Sequence, residues 1–200
     1  MIDAALLPTQ RRLLQPLAQV LVARRISADR ITLAGFLLGV LAVPALAAGQ
    51  FWLALGFIAL NRLADGLDGA VARLNGPTDR GAFIDIAFDF LFYALVPLGF
   101  ALAAPQNALP AAVLIVAFVG TGSSFLAFAA IAAKRGMNAA DYPTKGLYYL
   151  GGLTEGAETI ALFVAMCLWP AAFPLLAYVF ALLCALTTLT RWRQGWQAFA

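Results

Sequence analysis

Six apolar stretches, near residues 31–48, 51–73, 82–103, 111–133, 147–168 and 171–190, divide most of this chain into lengths near the roughly 20 residues a helix needs to cross hydrocarbon. The connections between them are short and hold the usual breakers, as in "AAGQF" (47–51), "APQNALP" (104–110) and "WPAAFP" (169–174). Composition agrees: of 200 residues 63% are hydrophobic and 12% charged, with a mean hydropathy of +0.87, whereas ordinary soluble domains carry about a quarter charged residues. The expected fold is an all-α integral membrane protein of six transmembrane helices, with no linker marking a second domain.

The basic residues predict its orientation. Arg11, Arg12, Arg24, Arg25 and Arg30 precede the first span, while Arg62, Arg73 and Arg80 flank the connection between spans two and three. Lys134, Arg135 and Lys145 lie between spans four and five, and Arg191 and Arg193 end span six. The three turns quoted above carry no charge. By the positive-inside rule both termini face the cytoplasm, in a bacterial inner membrane. The N-terminus begins with acidic Asp3 and lacks the layout of a cleaved signal peptide. Residues 1–30 are read as a juxtamembrane segment whose Leu, Val and Arg at helical spacing form an amphipathic helix on the membrane surface, arginines toward anionic headgroups. A solvated leader is the alternative. Residues 31–200 then form the six-helix membrane domain.

Several chemistries are excluded. The chain has no histidine, so Ser-His-Asp triads and histidine metal sites or general bases cannot be built. Cys167 and Cys184 fall in separate spans without CxxC spacing and are read as core residues. No Walker A sequence supports an ATP-driven pump of that type, and no nucleic-acid partner is expected.

Residues 64–90, "ADGLDGAVARLNGPTDRGAFIDIAFDF", concentrate the acids. Asp65, Asp68, Gly69, Ala72 and Arg73 share one face at the end of span two, and Gly81, Asp85 and Asp89 share one at the start of span three. The short Gly76-Pro77 connection lets the faces oppose, so that four carboxylates converge at the cytoplasmic interface. Burying such charges without partners costs several kcal/mol or more. Arg62, Arg73 and Arg80 could supply a structural ion-pair network. Divalent metal is the better account, because all-carboxylate ligation suits Mg2+, Mn2+ or Ca2+ and four acids could hold a pair of ions. Gly69 and Ala72 leave room for a ligand beside the helix, and Arg73 could grip a phosphate oxygen.

The pattern D-x2-D-G-x2-A-R-x7-G-x3-D-x3-D, filled by Asp65, Asp68, Gly69, Ala72, Arg73, Gly81, Asp85 and Asp89, resembles the signature of the CDP-alcohol phosphotransferase family. The resemblance implies transfer of a phosphate-linked group from a CDP-linked donor, CDP-diacylglycerol by preference, to a small alcohol with release of CMP in phospholipid synthesis. It implies a cytoplasmic active site with two divalent cations, Mg2+ or Mn2+, on Asp65, Asp68, Asp85 and Asp89. Asp89 is also cast as the base that accepts the hydroxyl proton, and Asp65, Gly69, Ala72, Arg73 and Gly81 as nucleotide contacts. A homodimer among membrane lipids is implied too. The reverse assignment, a soluble CDP-alcohol and a lipid acceptor, fits the same motif. Two departures stand out: where the family often has Pro-Asn before a threonine, Ala28 and Asp29 precede Thr32, and Phe90 replaces the basic residue that follows the last aspartate in synthases with phosphorylated acceptors.

Glu155 and Glu158 at the start of span five, with Lys134 and Lys145, are candidate acceptor contacts, in a pocket expected between spans two, three and five. Pairing of the glutamates with Lys145 or Arg191 is the alternative. "GTGSSF" (120–125) reads as small-residue helix packing. A transporter or channel with an acidic metal site could also have six spans, but its polar residues should cross the membrane rather than stop at one side.

Overall fold

The computed structural model describes residues 2–137 and 152–200, with side chains from Gln10 onward. Every described element is helical: α1 (Ile2–Ala23), α2 (Ala28–Val40), α3 (Ala42–Ala47), α4 (Phe51–Asn75), α5 (Asp79–Ala103), α6 (Ala108–Lys134), α7 (Gly156–Leu168) and α8 (Phe173–Ala198), with 3-10 turns at Pro105–Asn107 and Pro170–Ala172. Four segments are long and apolar enough to cross a membrane, Ala28–Ala47, Asp79–Ala103, Pro105–Lys134 and Pro170–Ala198. The protein is therefore an all-helical integral membrane protein. Helix α4 has the length, at 25 residues, but carries Arg62, Asp65, Asp68 and Arg73. Helix α7 has 13 described residues, and the first residues of the expected fifth span lie outside the described ones.

Local chemistry explains the breaks. The first span divides at Leu41, three residues before Pro44, whose ring excludes the carbonyl of Val40 and which offers no amide hydrogen to it. Between α4 and α5, Gly76 adopts φ +91°, which a side chain rarely tolerates. Thr78 then caps α5, its Oγ1 accepting the Gly81 amide at 3.0 Å. This turn directs α5 back beside the acid-bearing end of α4.

Close helix approaches depend on missing side chains. A Cβ on Gly35 would lie 2.5 Å from the Ala64 Cβ, so α2 meets α4 there, and one on Gly99 would meet Leu46, where α3 meets α5. Helix α1 lies against α4 at Gly66, where an added Cβ would contact Gln10 and Leu14, and Ala18, Ala70 and Val71 form a small buried cluster below. The main core is aromatic: Phe92, Phe100, Phe163 and Phe173 are fully enclosed, and Phe100 stacks on Phe173 at 4.5 Å. In the "GTGSSF" run Gly120 faces Thr188 and Gly122 faces the ring of Phe90, so these small residues serve helix packing. Cys167 and Cys184 are buried, free thiols.

Candidate active site

Helix α2 packs against both α4 and α5 and forms the third wall of a narrow cleft. Its lining combines Thr32, Gly35 and Phe36 of α2, Asn61, Arg62, Asp65 and Asp68 of α4, and Asp85, Phe88 and Asp89 of α5. The acceptor pocket was expected between spans two, three and five; none of the described residues of span five lines this cleft, and residues 147–151 of that span lie outside the described ones. The difference follows from the Gly35–Ala64 approach, which draws α2 beside the acidic end of α4.

Asp65, Asp68 and Asp85 each direct a carboxylate oxygen inward, and the three oxygens lie within 4.8 Å of one another. Helical spacing puts the first two on one face, and the Gly76 turn supplies the third from α5. Asp68 is buried, and its Oδ2 accepts the Thr32 hydroxyl at 2.6 Å. An oxygen-only carboxylate set of this kind suits a hard divalent cation, and these three oxygens are close enough together to hold one.

Asp89, one turn beyond Asp85, is in the same cleft but outside the trio. Its Oδ1 accepts from Arg62 Nη2 at 2.8 Å, while Arg62 Nη1 is 3.7 Å from Asp65 Oδ2. The guanidinium is anchored further: its Nε donates to Asn61 Oδ1 at 2.8 Å, Asn61 Nδ2 donates to the Gly35 carbonyl at 2.9 Å, and the Phe92 ring lies 4.7 Å beneath. Of the three arginines considered from the sequence as counter-charges, Arg62 enters the cleft. Arg80 bonds instead to Asp29, its Nε 2.8 Å from Oδ2. Arg73 folds back over its own helix, with Nη1 3.3 Å from the position a Gly69 Cβ would take.

Gly69, Ala72, Arg73 and Gly81 do not line the acidic cleft itself; they continue beyond it along the end of α4 and the start of α5. A Cβ on Gly81 would come within 3.2 Å of Asp29 Oδ1 and 3.1 Å of Thr78 Oγ1, so this corner is already filled by polar atoms. Glu155 and Glu158 form a capping box on α7: the Glu155 side chain accepts from the Glu158 amide, and Glu158 Oε2 accepts the Glu155 amide at 3.2 Å. Glu155 Oε1 also accepts the Gly152 amide. Lys134 is exposed at the end of α6, and Lys145 lies outside the described residues. Phe90 packs on Gly122 and not in the cleft.

Sequence reasoning did not assign Asn61 its bond to Gly35, Arg62 its bond to Asp89, or Asp29 and Arg80 to each other. Asn61 and Arg62 carried a usable signal, as polar residues within an apolar span. Their partners follow only from the packing of α2 and α5.

The sequence profile of the CDP-alcohol phosphatidyltransferase family matches residues 25–191, and the chain belongs to that family. It is thus an enzyme, a phosphotransferase of lipid metabolism. It is 56% identical over 197 residues to the inner membrane protein YnjF of Escherichia coli K12, covering 98% of this chain and 96% of that one. It is 36% identical to the archaetidylinositol phosphate synthase of Methanothermobacter thermautotrophicus over 93 residues, 46% of each protein. Its fold is similar to that of Mycobacterium tuberculosis phosphatidylinositol phosphate synthase PgsA1. The PgsA1 structure with CDP-DAG bound gives a TM-score of 0.68 at 23% identity, covering 92% of this chain and 94% of that one. The PgsA1 structure with manganese and citrate gives 0.69 at 21%, covering 92% and 88%.

Proposed function

We propose that this protein transfers a substituted phosphate group from a CDP-linked donor, CDP-diacylglycerol first, to a small alcohol, releasing CMP in phospholipid synthesis. The observation that carries this reading is the convergence of the Asp65, Asp68 and Asp85 carboxylates in one cleft with Asp89 beside them. Divalent cations, Mg2+ or Mn2+, held by these residues would polarise the diphosphate and offset charge on the departing CMP. Asp65, Asp68 and Asp85 are the proposed ligands; Asp89 completes the site and accepts the acceptor's hydroxyl proton as its oxygen bonds phosphorus and the bond to CMP breaks. Asp65, Gly69, Ala72, Arg73 and Gly81 are the proposed nucleotide contacts, supported by the Arg73 guanidinium, which lies over the side-chain-free flank of Gly69 where a phosphate could meet it. The CDP-DAG and manganese named for PgsA1 support donor and metal class.

On the acceptor side, Glu155, Glu158, Lys134 and Lys145 are the proposed contacts; the two glutamates also cap α7, and Lys145 lies outside the described residues. The test is CMP release by purified protein given CDP-diacylglycerol and serine, glycerol, inositol, ethanolamine, glycerol 3-phosphate or inositol phosphate, with and without chelator. Release with one small alcohol, abolished by chelator, is expected. Turnover only with a soluble CDP-alcohol and a lipid would reverse donor and acceptor, and full activity without metal would sink the reading.

We further propose that α4 and the helix containing α7 complete six spans, that residues 1–30 lie along the membrane surface, and that both termini and the cleft face the cytoplasm of a bacterial inner membrane. The inner-membrane name of the E. coli relative supports the location. With Cys167 and Cys184 replaced, single cysteines at exposed Gln106 and Ala171 should react with an impermeant thiol reagent from outside intact cells. Cysteines at Asn75 and Lys134 should stay protected until the membrane is opened. The opposite labelling would place the cleft on the side that lacks CDP-linked donors.

A further inference from the structure

The four acids of the cleft differ in what already holds them. Asp65, Asp68 and Asp85 share an oxygen cluster that Arg62 approaches only at Asp65, with Nη1 3.7 Å from Oδ2, whereas Asp89 accepts a hydrogen bond from Arg62 at 2.8 Å. That guanidinium is not a mobile surface cation. Its side chain is 17% exposed, fixed by Asn61 on one side and seated over Phe92 and Tyr93 on the other, and Asn61 is itself tied to the backbone of α2 at Gly35. A fixed positive charge therefore stands beside the one carboxylate that lies outside the trio.

A first divalent cation can take up Asp65, Asp68 and Asp85 with the Arg62–Asp89 contact intact. A second cation that uses Asp89 either takes Oδ1 from Arg62 or binds the other carboxylate oxygen, and in both cases it stands close to a like charge in a partly desolvated cleft. We infer that Arg62 is a positioning residue that orders metal loading: it reserves Asp89, so that the first cation binds the trio tightly and the second, on the Asp89 side, binds more weakly. This rests on the metal-dependent reading proposed above and adds to it a residue outside the motif.

The test is Mn2+ binding to the purified protein, measured by calorimetry and by counting bound Mn2+, with no donor present. The wild type should show two affinities separated by about fivefold or more, the usual span of coupling between sites. Arg62→Met should tighten the second site and close most of that gap, Arg62→Lys, which keeps the charge, should retain it, and Asp89→Asn should keep the first site and lose the second. Two equal affinities in the wild type, an unchanged gap in Arg62→Met, or two sites in Asp89→Asn would each overturn the inference. If Arg62→Met does not fold, the wild-type gap and Arg62→Lys decide, equal affinities in either counting against it. Absence of any Mn2+ binding to folded wild type would overturn the metal-dependent function itself, whereas Mn2+ binding and CMP release with no effect of Arg62 would remove only the role given to Arg62.

Discussion

Asparagine in place of Asp65, Asp68 or Asp85 should reduce CMP release by about a thousandfold or more, because several kcal/mol of transition-state charge stabilisation depends on an intact ligand set. The protein should still fold. The exchange preserves shape, and it removes one of three like charges whose oxygens lie within 4.8 Å of one another, so relief of repulsion offsets the attraction lost, such as that of Arg62 for Asp65 at 3.7 Å. Asp68→Asn is the sharpest case, since its amide oxygen can still accept the Thr32 hydroxyl that Asp68 accepts at 2.6 Å. Turnover is read as CMP release, and folding as a monodisperse elution peak and an unchanged thermal transition in detergent. Near-normal turnover by any of the three would remove that residue from the proposed ligand set.

Asp89→Asn should behave differently, lowering kcat by about 10²–10⁴ while the apparent affinity for the CDP-linked donor changes only a few-fold. Proton acceptance contributes at the transition state, and a contribution of that size is usual for a positioned general base. The cleft geometry gives a reason to expect the split: Asp89 stands outside the trio and contacts Arg62, so its neutralisation costs the weaker, second cation and leaves the three oxygens of Asp65, Asp68 and Asp85 in place to hold the first against the donor's diphosphate. Loss of donor binding with intact turnover of bound donor would leave Asp89 its place as a ligand and remove it as the base.

Where hydrophobic runs carry the information, sequence and structure agree closely. The stretches at 51–73, 82–103 and 111–133 coincide with helices α4, α5 and α6 within a few residues at each end, and α5 and α6 fall in segments long and apolar enough to cross a membrane. The last helix runs on to Ala198 where apolarity suggested residue 190. Its final turns carry Thr187, Thr188 and Arg191, polar by type but buried by packing, which a hydropathy reading cannot distinguish from a helix leaving the membrane. The aspartate geometry was legible because i, i+3 and i+4 spacings fix a helical face whatever the tertiary context. The third wall was not, because it depends on α2 reaching α4 through Gly35, a contact between residues far apart in the chain. Glu155 and Glu158 show the opposite hazard. A spacing of three does place two side chains on one face, but at a helix start the same spacing is also that of an N-cap and its N3 partner, a use that the sequence reading did not assign to them.

The family match begins at residue 25, two residues beyond the end of α1. A cut at that homology boundary would pass through a joint of the folded molecule. Gly66, the residue next to Asp65, has α1 as its neighbour, and Ala70 and Val71 are shut away beneath Leu14 and Ala18. One side of α4 presents carboxylates to the cleft and the other is roofed by the N-terminal helix, so trimming that helix uncovers the back of the strip that bears the acids. For anyone shortening this chain for expression or fusing a partner to its front, α1 belongs with the catalytic body and not with the disposable end.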